Sequence, residues 1–89
     1  MVTIHARVSG RVQGVFFRRY TQKRAQELQL AGWVKNSEDG KVELIATGEQ
    51  DKIEQFIEWL WQGSPNAVVK EVCWELISQQ SFADFSIKR

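Results

Sequence analysis

The hydrophobic repeat of this chain switches several times within 89 residues, and the order of the switches limits the fold more tightly than any other feature. From residue 2 to residue 9 the repeat is two. Val2, Ile4, Ala6 and Val8 fall on one face and Thr3, His5, Arg7 and Ser9 on the other, which is the pattern of a half-buried strand. Gly10 and Gly14 bracket a short loop. From about Phe17 the spacing becomes helical, with Phe17, Thr21, Arg24 and Leu28 in one stripe flanked by Tyr20 and Ala25. Gly32 is expected just beyond the end of that helix, where glycine is common.

The repeat then returns to that of strands. Trp33 to Asn36 and Lys41 to Thr47 read as a hairpin joined by Ser37-Glu38-Asp39-Gly40, and Gly48 ends the second arm. Ile53, Phe56, Ile57 and Leu60 follow i, i+3, i+4, i+7 spacing, a second helix stopped by Gly63-Ser64-Pro65. Residues 67–76 alternate again, with Val68, Val72, Trp74 and Leu76 on one face. Phe85-Ser86-Ile87 is long enough to add an edge strand. The order β-α-β-β-α-β predicts an α+β, ferredoxin-like sandwich, two helices on one face of an antiparallel sheet. No linker, repeat or low-complexity tract interrupts it, so residues 1–89 are expected to form a single domain around one core. A hydrophobic fraction of 43% supplies that core.

Net charge is +1, from 12 basic and 11 acidic residues, so no general affinity for nucleic acid or membrane is expected. Arg7, Arg11, Arg18, Arg19, Lys23 and Arg24 nevertheless crowd the first third, either as a solvated face or as the surroundings of an anion site. Cys73 is the one cysteine and His5 the one histidine, which excludes an intramolecular disulfide and leaves too few soft ligands for a structural zinc. No apolar leader and no bilayer-length stretch is present, and a cytoplasmic location is expected.

Function must be argued from a site, because this fold hosts many. The candidate is Gly10-Arg11-Val12-Gln13-Gly14-Val15-Phe16-Phe17-Arg18, which feeds the first strand into the first helix. A helix start offers unpaired backbone N–H groups and a positive dipole end. Glycines let the loop curl so that successive N–H groups converge on one anion. Arg18, at or just inside the helix start, carries a planar fork that grips two anion oxygens. By spacing alone, two glycines and an arginine at such a turn are more often structural than anion-binding.

The wider string is more specific. Val8 to Arg18 resembles the first signature of the acylphosphatase family, and Gly32-Trp33-Val34-Lys35-Asn36 followed by Gly40, Val42 and Gly48 resembles its second. Each fixed position of both is filled, in order and at the family spacing. The resemblance extends over nearly the whole chain, including Trp59-Leu60 and Gly63-Ser64-Pro65. It implies a small ferredoxin-like enzyme that hydrolyses carboxyl–phosphate anhydrides with no metal or cofactor. By position, Arg18 matches the family's phosphate-binding arginine and Asn36 the asparagine that holds the attacking water. The backbone of Arg11, Val12, Gln13, Gly14, Val15 and Phe16 matches the phosphate cradle. The expected partners are a small acyl phosphate and inorganic phosphate, with the protein a monomer.

The chemistry agrees with these residues. A carboxylate leaving group departs without a strong general acid, and a loose phosphoryl-transfer transition state depends mainly on positioning and charge stabilisation. A side-chain amide orients water through its acceptor oxygen. Read without the family, Asn36 is a turn-initiating asparagine before Ser37. His5 reads as a surface or structural residue and Cys73 as an inert thiol, since neither has a partner in sequence for nucleophilic chemistry. Trp59 and Trp61 lie off the apolar stripe and are expected to be partly buried.

Two functions compete with hydrolysis. A ferredoxin-like RNA-binding module wants aromatics on its central strands, and the outward residues of the first strand include none. An acyl- or carbamoyl-phosphate-binding domain of a larger pathway shares the signatures. The full-length match favours a free-standing enzyme.

Overall fold

The computed structural model of the chain describes residues 1–88. Its elements are β1 (Val2–Arg11), α1 (Phe17–Glu27), β2 (Ala31–Asn36), β3 (Val42–Gly48), α2 (Gln50–Gln62), β4 (Val68–Ile77) and β5 (Phe85–Ile87). The strands form one sheet in the order β4-β1-β3-β2-β5. β1 runs antiparallel to both β3 and β4, and β2 antiparallel to β3. β5 pairs in parallel with β2, so the sheet is mixed rather than wholly antiparallel. Parallel pairing follows from direction: β4 leads away, and the returning chain reaches the far edge running the same way as β2.

Alternation decides which face is covered. Ile4, Ala6 and Val8 of β1 lie opposite Ala46, Leu44 and Val42 of β3, and all six are buried. Val34 extends the row on β2. Phe17, Thr21 and Ala25 of α1 and Ile53, Phe56 and Leu60 of α2 close over this face. Trp59 packs beside them, its ring 5.9 Å from Phe17 and stacked at 6.3 Å on Phe56. Trp61 does not share that burial; it points to solvent. Tyr20, read as a flank of the apolar stripe, is also exposed, because it lies about a quarter turn from the centre of the buried Phe17, Thr21 and Ala25 side.

Two other expectations change. The residue that reverses the chain after α1 is Gln29, at φ 59°, with Leu30 N–H donating back to Ala25 O at 2.9 Å. Gly32 instead lies within β2. At φ 146°, a Cβ there would sit 1.9 Å from Ile45 O, so glycine is what lets β2 close on β3. On β4, Val72 is buried, but Val68, Trp74 and Leu76 are exposed. The alternation was a true strand signal. However, β4 is the edge of the sheet, and apolar residues on an edge reach beyond the cover of the helices.

Candidate active site

The β1–α1 loop takes its shape from anchors at both ends. Val12 and Val15 bury their side chains in the core. The buried Ser64 hydroxyl, just past α2, donates to Val15 O at 2.8 Å. Gln13 Nε2 donates to Ser37 O and Lys41 O, both at 2.9 Å, clasping the loop to the β2–β3 hairpin. A register shift in the β1–β4 pairing at Ser9/Gly10 bends β1 just before the loop begins.

Between these anchors the backbone enters the left-handed region twice, at Gly14 (φ 76°) and Phe16 (φ 61°, ψ 23°). Glycine does this freely. For a phenylalanine it is strained by about 1–3 kcal/mol, and its surroundings must impose it. Loops that alternate into this region converge their N–H groups on one point. Phe16 is also the N-cap of α1, and no side chain caps the helix. The first helical amide to find a backbone acceptor is Tyr20 N–H, which donates to Phe16 O at 3.1 Å. Among the described residues the amides from Gln13 to Arg19 make no well-formed bond to another backbone carbonyl. No acidic residue occupies the first helical turn. Loop and helix start together therefore form a neutral-to-positive set of donors suited to an anion.

These groups open onto a cavity of about 490 Å³. Val12, Gly14 and Phe16 of the loop line one part, Phe17, Arg18, Arg19 and Gln22 of α1 another, and Asn36 and Ile87 the far wall. Arg18 Nη1 donates to Lys88 O at 3.3 Å, and one turn on, Gln22 Nε2 donates to Phe85 O at 3.0 Å. Both bonds tie α1 to the β5 segment and fix the side from which Arg18 enters the cavity. Asn36 ends β2, and its Oδ1 is buried without a hydrogen-bond partner among the described residues. Such an acceptor costs about 1–3 kcal/mol if left alone. Thr21 Oγ1 and Arg24 Nε share that condition, but neither lines the cavity.

Of the residues singled out in sequence, the fold brings Arg18, Asn36, Val12, Gly14 and Phe16 to one cavity. Arg11 is exposed at the end of β1 opposite Val68, the Gln13 side chain is committed to the hairpin, and the Val15 side chain lies in the core. For Val12 and Val15 burial leaves only backbone to offer. Arg19 was noted only as part of the basic run of the first third, and sequence reading missed Gln22 and Ile87. Gln22 had a usable signal, since it lies four residues after Arg18 on the same helix face. Ile87 had none, because its place depends on the parallel pairing of β5.

The remaining reactive side chains lie elsewhere. His5 Nε2 donates to Glu43 Oε2 at 2.6 Å, and with Arg7 and Lys35 nearby this bond holds the Glu43 carboxyl below the usual glutamate range. Cys73 is exposed on β4. Its hydrogen bond to Glu71, followed by desolvation and the charge of Glu71, pushes the thiol up, which opposes thiolate chemistry. No group of three His, Cys, Asp or Glu among the described residues is placed to hold a metal ion. No helix among them is long and apolar enough to cross a membrane.

Comparison with known proteins gives the same answer from several directions. The family model described as Acylphosphatase matches residues 4–87. A protein of that name from Coxiella burnetii (strain Dugway 5J108-111) is 55% identical over 85 residues, which cover 96% of this chain and 90% of the relative. The crystal structure of acylphosphatase from Bacillus subtilis superposes with a TM-score of 0.97 at 39% identity, covering all of both chains. Full-length HypF, in a phosphate- and nucleotide-bound form, contains a segment matching 99% of this chain at 29% identity and a TM-score of 0.89; that segment is 12% of its length. With a family model spanning nearly its whole length and such a relative beside it, this chain belongs to the acylphosphatase family.

Proposed function

We propose that this chain, as one domain over residues 1–89, hydrolyses acyl phosphates to carboxylate and inorganic phosphate without a metal or cofactor, as a cytoplasmic monomer that needs no nucleic acid. The phosphoryl group rests in the backbone cradle of residues 11–16. Arg18 grips two of its oxygens, and Asn36 Oδ1 accepts a hydrogen bond from the attacking water. The water oxygen bonds to phosphorus while the bond from phosphorus to the carboxylate oxygen breaks, its electron pair leaving with the carboxylate. An asparagine is too weak a base to take the water proton, which passes to a phosphoryl oxygen of the substrate. Catalysis is then positioning and electrostatic stabilisation.

The observation that carries this reading is the unpartnered Asn36 Oδ1, buried in the cavity that Arg18 and the loop also line. A water donating to that oxygen satisfies it and stands beside the anion site. The experiment is hydrolysis of benzoyl phosphate by the purified chain in excess chelator. Turnover at an undiminished rate, with inorganic phosphate inhibiting competitively, is expected. Loss of activity in chelator and its return with Mg²⁺ or Zn²⁺ would overturn the mechanism. The likeness to a segment of HypF favours a second reading, an acyl- or carbamoyl-phosphate-handling domain within a larger protein. Tight phosphate binding with no turnover by the isolated chain would select it.

A further inference from the structure

The cradle, Arg18 and Asn36 account for the phosphoryl end of a substrate and leave its acyl end unassigned. A second hollow, of about 420 Å³, adjoins the first and shares Phe16 and Arg19 with it; Tyr20 and Lys23 complete its lining. Helical geometry places it. At about 100° per residue, Arg18 and Gln22 occupy one side of α1, and Arg19 and Lys23 lie a quarter turn further round. Phe16 and Tyr20 form the next strip. The Arg18 side is fixed toward β5 by its bonds to Lys88 O and by that of Gln22 to Phe85 O. The second hollow therefore lies across the first turn of the helix, away from the β2–β5 wall.

Three features of this hollow have no structural purpose. Phe16 is 70% exposed although its backbone is strained, and the loop's shape requires only the backbone. Tyr20 is exposed beside it. Arg19 and Lys23 have no ion-pair partner among the described residues, in contrast to Arg24, which reaches Glu27 at 3.4 Å. Two apolar rings and two unpaired cations thus continue the site in one direction. In-line displacement puts the leaving group opposite the attacking water. Water held by Asn36 on the β2 side sends the leaving carboxylate away from β2, toward this hollow.

We propose that the hollow bounded by Phe16, Arg19, Tyr20 and Lys23 is the acyl subsite, and that it selects acyl phosphates whose acyl group pairs an apolar body with a second negative charge. This rests on the hydrolase reading of the adjoining cavity. The rings cover the body of the acyl group, and Arg19 and Lys23 meet its distal anion.

Two probes that differ only in that charge test the proposal: benzoyl phosphate and 4-carboxybenzoyl phosphate. The kcat/KM for 4-carboxybenzoyl phosphate divided by that for benzoyl phosphate is measured on wild type, Lys23→Glu and Lys52→Glu at low ionic strength. Each ratio is taken within one protein sample, so it is independent of the folded fraction. A charge about 6 Å away in water-like surroundings changes an equilibrium about threefold, so reversing it changes the ratio about tenfold. Lys23→Glu is expected to lower the ratio by about that factor, and 0.5 M salt to shrink the effect. Lys52→Glu, on the other helix, is expected to leave it unchanged. A ratio unmoved by Lys23→Glu, or moved equally by Lys52→Glu, overturns the subsite while hydrolysis of both probes keeps the hydrolase reading. Hydrolysis of neither probe by wild type removes both.

Discussion

At the scale of single residues, the site holds two side chains whose removal is expected to cost rate while leaving stability nearly unchanged. Arg18 is half-buried, and among the described residues its side chain makes one hydrogen bond, to Lys88 O. Arg18→Lys keeps the charge but loses the planar fork, so one of two charge-assisted bonds to the phosphoryl group goes and the group is no longer held in line. A misplacement of about 1 Å costs on the order of a hundredfold in rate. Measured together, Arg18→Lys and Arg18→Ala should both lose about that much kcat/KM, with melting temperatures close to wild type; near-normal activity in the lysine variant would reduce Arg18 to a general positive charge. Asn36 differs because its buried Oδ1 is unsatisfied within the protein. Asn36→Ala removes an acceptor that no protein group uses, so the variant should melt close to the wild-type temperature. Its kcat should fall about a hundredfold while the inhibition constant of phosphate barely moves, since orienting water matters only on the way to the transition state. Equal losses of phosphate affinity and turnover would instead make Asn36 a binding residue.

At the scale of elements, the active loop is shaped by its neighbours as much as by its own sequence. Gln13 spans from the loop to both ends of the β2–β3 turn, at Ser37 O and Lys41 O. Those carbonyls also accept bonds within the turn, from Gly40 N–H and from Ser37 N–H, so losing Gln13 leaves neither orphaned. Gln13→Ala should therefore lower stability by only about 1 kcal/mol. Phosphate affinity should weaken by about tenfold, the equivalent of 1.4 kcal/mol, because the cradle is no longer held to the strand that carries Asn36. Phosphate inhibition and thermal melts on the same sample separate the two effects, and a loss of stability with unchanged phosphate inhibition would show that the clasp serves the fold alone. The different legibility of elements has the same origin. β1 and α2 could be read directly because each turns a regularly spaced apolar row to the core. The glycine-bracketed loop and Arg18 stood out only through the longer signature they fill, because two glycines and an arginine at a helix start are by themselves more often structural. Gly32, Tyr20 and β4 were misjudged for a shared reason: what they do is set by a partner element distant in sequence, namely the Ile45 carbonyl, the side of α1 that the sheet leaves open, and the limit of the helical cover. The wall at Ile87 was invisible because a three-residue strand carries no pairing direction of its own.

At the scale of the whole molecule, the sheet divides its labour between two faces, with the core on one and a row of charges on the other. In register across three strands, Arg7 of β1 and Lys35 of β2 flank Glu43 of β3. His5 donates to Glu43 Oε2 at 2.6 Å, Arg7 Nη2 lies 3.5 Å from the same oxygen, and Lys35 Nζ lies 3.8 Å from Oε1. The hydrogen bond from His5, more than the attraction of His5, Arg7 and Lys35, holds the carboxyl below its ordinary value of 4.5. A carboxyl whose folded value is depressed contributes stability that is complete above the unfolded value and is lost as pH falls through the folded one. The contribution should therefore be intact at neutral pH and disappear only below about 4.5. Glu43→Gln removes the charge at every pH. At pH 7 it should cost about 1 kcal/mol, roughly 4–8 °C in a domain of this size. The melting curves of wild type and Glu43→Gln, followed downward in pH, should converge in the acid range as the wild-type carboxyl takes up its proton. Curves that stay parallel to pH 3 would mean that the row adds nothing linked to this titration. Because Glu43 lies on the face opposite the cavity, kcat/KM of the folded variant at neutral pH should match wild type, and a fall in rate would mean that charge on one face of the sheet is felt at the site on the other.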